Sequence, residues 1–186
     1  MVRAFVFAGL ATACLFLGLA GRASAQATPV DPRWGILAEL AERDFHMDGW
    51  GGSKILTAYR WEVPGRQLTY FFSYVGSEKR TLTLDDTTGE ILMSNAGVFA
   101  KYGDKYAVRL KAAADGAILW SNGKPYLSRG EGNTYVDATG GVLVPTEPGT
   151  PAGDKVEKLV AAGKLRSANP GMRGAVAASS AAVAGN

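Results

Sequence analysis

Between Lys54 and Pro145 the chain alternates with period two. Ile55, Thr57, Tyr59, Trp61 and Val63 alternate with Leu56, Ala58, Arg60 and Glu62. Leu68, Tyr70, Phe72 and Tyr74 alternate with Gln67, Thr69, Phe71 and Ser73. Arg80, Leu82 and Leu84 share one parity, as do Tyr106, Val108 and Leu110. A period of two, carried by aromatic and β-branched residues, is the signature of strands. Between the runs stand turn formers: Pro64-Gly65, Asp115-Gly116 and Asn122-Gly123, with "VGSEK", "DDTTGE", "SNAGV", "KYGDK" and "ATGGV". These links are too short for helical crossovers, so neighbouring strands must run antiparallel. The expectation is an all-β antiparallel meander of about eight to ten short strands. Closure into a small barrel removes the exposed edges such a meander would leave.

A short helix is expected on each side. In "DPRWGILAELAERDF", Asp31 suits an N-cap and Pro32 the first helical position. Trp34, Leu37, Leu40 and Ala41 recur at three-to-four spacing, so this helix should pack against the barrel or plug one end. In "DKVEKLVAAGKLR", Asp154 reads as the cap, with Glu157 three residues on, Val156, Leu159 and Val160 on one face, and Gly163 as the stop. The remaining C-terminal residues are rich in Ala, Gly and Ser and lack aromatics, which reads as disorder. The domains are thus 1–25 as a leader, 26–150 as the barrel with its N-terminal helix, and 151–186 as a short helix and tail.

The leader reading rests on Arg3, the apolar run "AFVFAGLATACLFLGLAG" and the small-x-small triplet Ala23-Ser24-Ala25. Cleavage is expected after Ala25, placing the mature protein in the periplasm or outside the cell. Nothing later in the chain is apolar enough to span a bilayer. Cys14 lies inside the leader, and Ala11 stands where a lipoprotein signal wants a Leu-type residue. The mature chain would then hold no cysteine, which removes disulfides, thiolate catalysis and thiolate metal sites.

Charge is divided unevenly. Residues 26–150 carry 13 basic and 15 acidic side chains, a net of −2, while residues 151–186 carry 5 and 2, a net of +3. The formal +3 of the whole chain therefore reflects leader and tail. No basic face with interleaved aromatics exists, so a nucleic-acid partner is not expected.

Residues that carry catalytic chemistry are sparse. His46 is the only histidine, and no second His or Cys stands at metal-ligand spacing. A Gly-x-Ser-x-Gly turn is absent, so Asp48 and Ser53 neighbour His46 without forming a triad pattern. "DDTTGE" lacks the alternating oxygen ligands of a calcium loop. "GEGN" at Gly130–Asn133 precedes no helix that would make it a phosphate loop. Glu62, Asp104, Asp115, Glu131 and Asp137 are the carboxylates from which a glycosidase pair would have to come. The expectation is no catalytic residue, no metal and no cofactor.

The aromatics are more informative. Tyr59, Trp61, Tyr70, Phe72 and Tyr74 fall on one parity of two neighbouring strands, and Trp120 and Tyr126 flank the Asn122-Gly123 turn. They read as a packed core or as the lining of a ligand cavity, because a barrel of this size is near the limit at which side chains fill the bore. These residues are the candidate ligand-binding set.

"DGWGGS", Asp48–Ser53, sets one tryptophan among three glycines ahead of the first long alternating run. The glycines suit a bend from the N-terminal helix into the first strand, with Trp50 capping a barrel end. A short helix, a glycine-flanked tryptophan and consecutive hairpins resemble the lipocalin and calycin barrels, which commonly carry Gly-x-Trp at the first strand. Gly49-Trp50 is similar with altered spacing, and the resemblance covers roughly residues 34–145. The nitrobindin-like branch opens similarly but binds haem through a late histidine, which this sequence lacks. The resemblance implies the fold alone; the aromatic set and the sparse catalytic residues lead to the expectation of an exported, non-enzymatic barrel that binds a small hydrophobic or amphipathic ligand. The other readings are an envelope interaction or structural module, which meets a protein partner through the C-terminal tail or a sheet face, and a carboxylate-based hydrolase.

Overall fold

A computed structural model of the chain describes residues 30–49, 52–73, 78–95 and 108–170. Ten antiparallel strands form one closed barrel. They are β1 (Arg43–Asp48), β2 (Lys54–Val63), β3 (Gln67–Ser73), β4 (Glu78–Leu84), β5 (Ile91–Asn95), β6 (Val108–Ala112), β7 (Ile118–Trp120), β8 (Pro125–Arg129), β9 (Tyr135–Asp137) and β10 (Val142–Pro145). Each strand pairs with its neighbours in sequence, and β1 pairs with β10 to complete the ring, His46 lying opposite Val144. At the expected turns Gly65 and Gly123 have φ of 68° and 80°, conformations that a side chain would strain.

The N-terminal segment is shorter in helix than its periodicity suggests. A single 3-10 turn (Pro32–Trp34), capped by the Asp31 carboxylate, is followed by one α-turn, α1 (Leu37–Leu40). The chain then breaks at Glu42, whose φ is +58°, and Arg43 already belongs to β1. The expected helix through Phe45 is therefore replaced in its last part by a strand. The expected bend at "DGWGGS" is corrected too. Gly49 and Ser53 close a hairpin between β1 and β2 through a 2.7 Å backbone hydrogen bond. Trp50, expected to cap a barrel end, lies outside the described residues.

The two helical turns plug one end of the barrel, where the β2–β3, β4–β5, β6–β7 and β8–β9 connections gather. Trp34, Ile36, Leu37 and Leu40 are fully buried. The Trp34 ring meets Trp61 edge-on at 5.0 Å, and its indole N–H donates to the Gly65 carbonyl at 2.8 Å. Ile36 N–H donates to the Gly116 carbonyl at 2.9 Å. Gly35 sits so close to that carbonyl that a Cβ there would collide with it.

The C-terminal helix, α2 (Pro151–Ala161), lies on the outside. Its cap is Thr150, whose hydroxyl accepts from Gly153 N–H at 3.1 Å, and not Asp154, which falls in the first turn. Pro151 takes the first helical position, where a missing N–H is harmless. At the other end Gly163 N–H bonds to the Val160 carbonyl and Lys164 N–H to the Leu159 carbonyl, a Schellman stop with Gly163 at φ 67°. Val156, Leu159, Val160 and Leu165 pack on Ala58 and Phe71, so β2 is buried on both faces.

Arg60 points outward, as its parity requires, yet is only 2% exposed. Its guanidinium donates to the carbonyls of Arg43, Tyr59 and Arg166 and to the Asp44 carboxylate. Glu42 is fully buried and accepts from Trp61 N–H at 2.8 Å, Arg166 at 2.6 Å and Asn169 N–H at 2.7 Å. The chain after α2 is thus strapped across the barrel wall. Residues 171–186 of the expected tail lie outside the described residues.

Candidate functional site

The end of the barrel opposite the plug holds a cavity of about 220 Å³. Tyr59, Tyr70 and Phe72 line it from β2 and β3, and Trp120 and Tyr126 from β7 and β8. Strands five places apart in a ring of ten stand across the bore, so these two groups face each other. Tyr59 and Tyr70 stack at 5.1 Å with a 30° tilt, and Tyr70 continues to Phe72 at 6.0 Å. Trp120 and Tyr126 meet edge-on at 4.8 Å. Met47, Leu127 and Leu143 complete the apolar wall, and Arg80 and Asp137–Thr139 the polar part.

Trp61 shares the parity of Tyr59 but does not line this cavity. It lies two residues further along β2, some 7 Å deeper by strand geometry, and packs on the plug. Tyr74 lies outside the described residues.

Burial keeps the phenols neutral. It pushes Tyr59 and Tyr70 well above the ordinary tyrosine range and Tyr126 up to about 12. Tyr126 donates to the Met93 sulfur at 3.4 Å. The Tyr59 and Tyr70 hydroxyls have no hydrogen-bond partner among the described residues. They are not sealed in either, since the only sealed, unpartnered side-chain polar atom among those residues is Thr57 Oγ1. Both are therefore open to whatever occupies the cavity.

Among the described residues Asp137 is the single carboxylate of the lining. Its Oδ1 accepts from Thr139 N–H at 2.8 Å, the Thr139 hydroxyl at 2.7 Å and Gly141 N–H at 2.9 Å, tying it into the β9–β10 turn. Asp115 caps the β6–β7 turn and Glu131 sits in the β8–β9 turn, both at the plugged end. Glu62 accepts from Thr69 on the outer face, and Asp104 lies outside the described residues. His46 lies on the outer face of β1, its Nδ1 3.0 Å from the Thr146 hydroxyl, and burial lowers its pKa. No group of three or more His, Cys, Asp or Glu side chains gathers at metal-binding distance among the described residues. No described helix is long and apolar enough to cross a membrane.

Arg80 is a site residue that the aromatic pattern does not single out. It lies directly opposite Tyr70 in the β3–β4 register and so faces the bore. Its parity carries the signal, because Leu82 and Leu84 on the same side of β4 are buried in the core. A second hollow, of about 280 Å³, lies outside the barrel between β1, β10 and α2. Arg43, Asp44, Glu147 and Glu157 line it, with no aromatic among the described lining residues. No protein-family model, curated protein or solved structure matches the chain.

Proposed function

We propose that this chain is an exported, non-enzymatic barrel that takes up one small hydrophobic or amphipathic molecule at the open end of its bore, in the manner of a lipocalin. The observation that carries the reading is the aromatic cavity, with two tyrosine hydroxyls unpartnered among the described residues, in a barrel whose other end is packed shut. Its volume of about 220 Å³ lies below the ~300 Å³ at which pockets for drug-sized ligands begin, so the ligand is small. Aromatic walls supply apolar contact area with few rotamers to freeze, and hydroxyls orient the guest. The interaction-module alternative draws no support from α2, whose apolar side chains lie against the chain's own barrel.

Native mass spectrometry of protein purified from an exporting host tests the proposal. The expected result is a start at Gln26 and a small-molecule adduct on the wild-type protein that is lost in the Tyr70→Ala, Trp120→Ala double variant. Equal uptake of a panel of small aromatic probes by both proteins, or uptake by neither, would refute it.

A further inference from the structure

Resting on that reading, we infer that the guest is a small planar aromatic anion, a carboxylate or its like, whose charge is received by Arg80 at the mouth while its ring lies between the two aromatic walls. The position of Arg80 is the first ground. A residue facing the bore beside Tyr70, on the parity of Leu82 and Leu84, would be apolar if it served packing alone. The Arg80 side chain is 36% exposed, so its charge stays hydrated at the mouth, where a guest's charge can meet it.

The second ground is that its guanidinium N–H groups make no hydrogen bond among the described residues, where its one ion pair is a long one to Glu78. Glu78 is the one carboxylate of those residues within ion-pair reach, at 3.6 Å and half exposed. No acceptor among the described residues lies within hydrogen-bond distance of the guanidinium. Asp137, the opposite charge in the same lining, has Oδ1 occupied by three donors of its own turn. The cavity therefore carries a planar cation in an aromatic lining, and a guanidinium fork matches a carboxylate through two parallel hydrogen bonds.

The third ground concerns the ligand's body. Below Tyr59 the bore is closed by Phe45, which meets the Tyr59 ring edge-on at 6.2 Å, and then by the Trp34–Trp61 pair. All of these are buried, so an extended alkyl chain finds no channel to run down. A flat ring fits between opposed aromatic walls without displacing the floor.

Isothermal titration calorimetry with four probes tests the inference: 2-naphthoate, the neutral 2-naphthylmethanol, the cationic 2-naphthylmethylammonium and the long-chain dodecanoate. The wild-type protein should bind 2-naphthoate at least about tenfold more tightly than the neutral alcohol, as expected for hydrogen bonds to a charged group. Arg80→Gln should bring that ratio to near one while leaving the alcohol's affinity within about threefold. Arg80→Lys, which keeps the charge without the fork, should retain part of the preference, and circular dichroism checks that both variants fold. Equal binding of acid and alcohol, or tighter binding of the ammonium, would overturn the anion assignment and leave the cavity proposal standing. Tighter binding of dodecanoate than of 2-naphthoate would overturn the planar body. Failure of all four probes would overturn the cavity proposal and this inference together.

Discussion

Replacing Trp34 by alanine separates the two ends of the barrel energetically. The side chain is fully buried, meets Trp61 edge-on and donates to the Gly65 carbonyl. A tryptophan buries roughly 200 Å², which at about 25 cal/mol per Å² is ~5 kcal/mol before the retained Cβ is subtracted. Large-to-small substitutions of buried Trp cost about 3–5 kcal/mol by measurement. Gly65 lies at a turn where water can replace the indole N–H, so no orphaned acceptor adds to the loss. We expect a cost of about 4 kcal/mol. With a urea slope of ~2 kcal/mol per M, the midpoint falls by about 2 M at unchanged slope. Trp61→Ala should behave alike, because the two rings pack on one another. Probe binding at the open end should stay within about threefold, since neither ring lines the cavity. A stability loss under about 1 kcal/mol would show that the plug is not part of the core. Intact stability with lost binding would place Trp34 in the ligand site and refute the division of the barrel into a packed end and an open one.

Four other perturbations have definite outcomes. Arg166→Ala removes the cation from fully buried Glu42, and since Arg166 is itself 42% exposed the expected loss is about 2 kcal/mol, below the ~3–5 of a fully buried pair. Deleting residues 151–186 should cost more and raise the binding of a hydrophobic dye, because Ala58 and Phe71 lose their cover; wild-type stability and dye binding would contradict the strap. The phenol of Tyr126 should titrate near pH 12 by absorbance at 295 nm, a step absent in Tyr126→Phe. Its folded pKa is raised, so its contribution is complete below pH ~10 and is lost as pH rises toward 12; a transition near 10 would show the site to be open to bulk water. Burial lowers the pKa of His46, so stability should be complete above pH ~6.5 and decline as pH falls through the folded value, and His46→Gln should flatten that slope in urea titrations.

The barrel was legible because alternation and turn chemistry agree along most of its length. From β2 onward the apolar runs are separated by turn formers, among them Pro64-Gly65, Asp115-Gly116 and Asn122-Gly123, and antiparallel order is the result. β1 was hidden for a physical reason. Leu37, Ala41 and Phe45 continue a four-residue spacing, so "RDF" reads as the tail of a helix. The helix is ended by Glu42 in the left-handed region, the only described non-glycine residue with positive φ. Such a conformation costs about 1–3 kcal/mol and persists only where its surroundings impose it. Here they do: Glu42 N–H donates to the Tyr59 carbonyl at 2.8 Å, and its carboxylate gathers donors from Trp61, Arg166 and Asn169. Arg166 and Asn169 lie 124 and 127 residues away in sequence, so no local pattern contains them.

The cavity was legible in part, and the part that was missed reflects the limits of a period of two. Parity assigns a residue to a face, and it placed Tyr59, Tyr70 and Phe72 on the inner wall. It does not assign depth. Tyr59 and Trp61 are indistinguishable by alternation, yet the first borders the cavity and the second packs on the plug, because the plug enters from the Trp61 end. Arg80 shows the converse. Its parity with Leu82 and Leu84 put it inside, but a charged residue at a strand's start is ordinarily assigned to solvent. Only the ring closure, which sets β4 beside Tyr70 and across from β8 and β9, turns that residue into a cation at the mouth of an aromatic cavity. That inward-facing charge in the cavity lining is thus the feature on which the proposed charge of the guest rests.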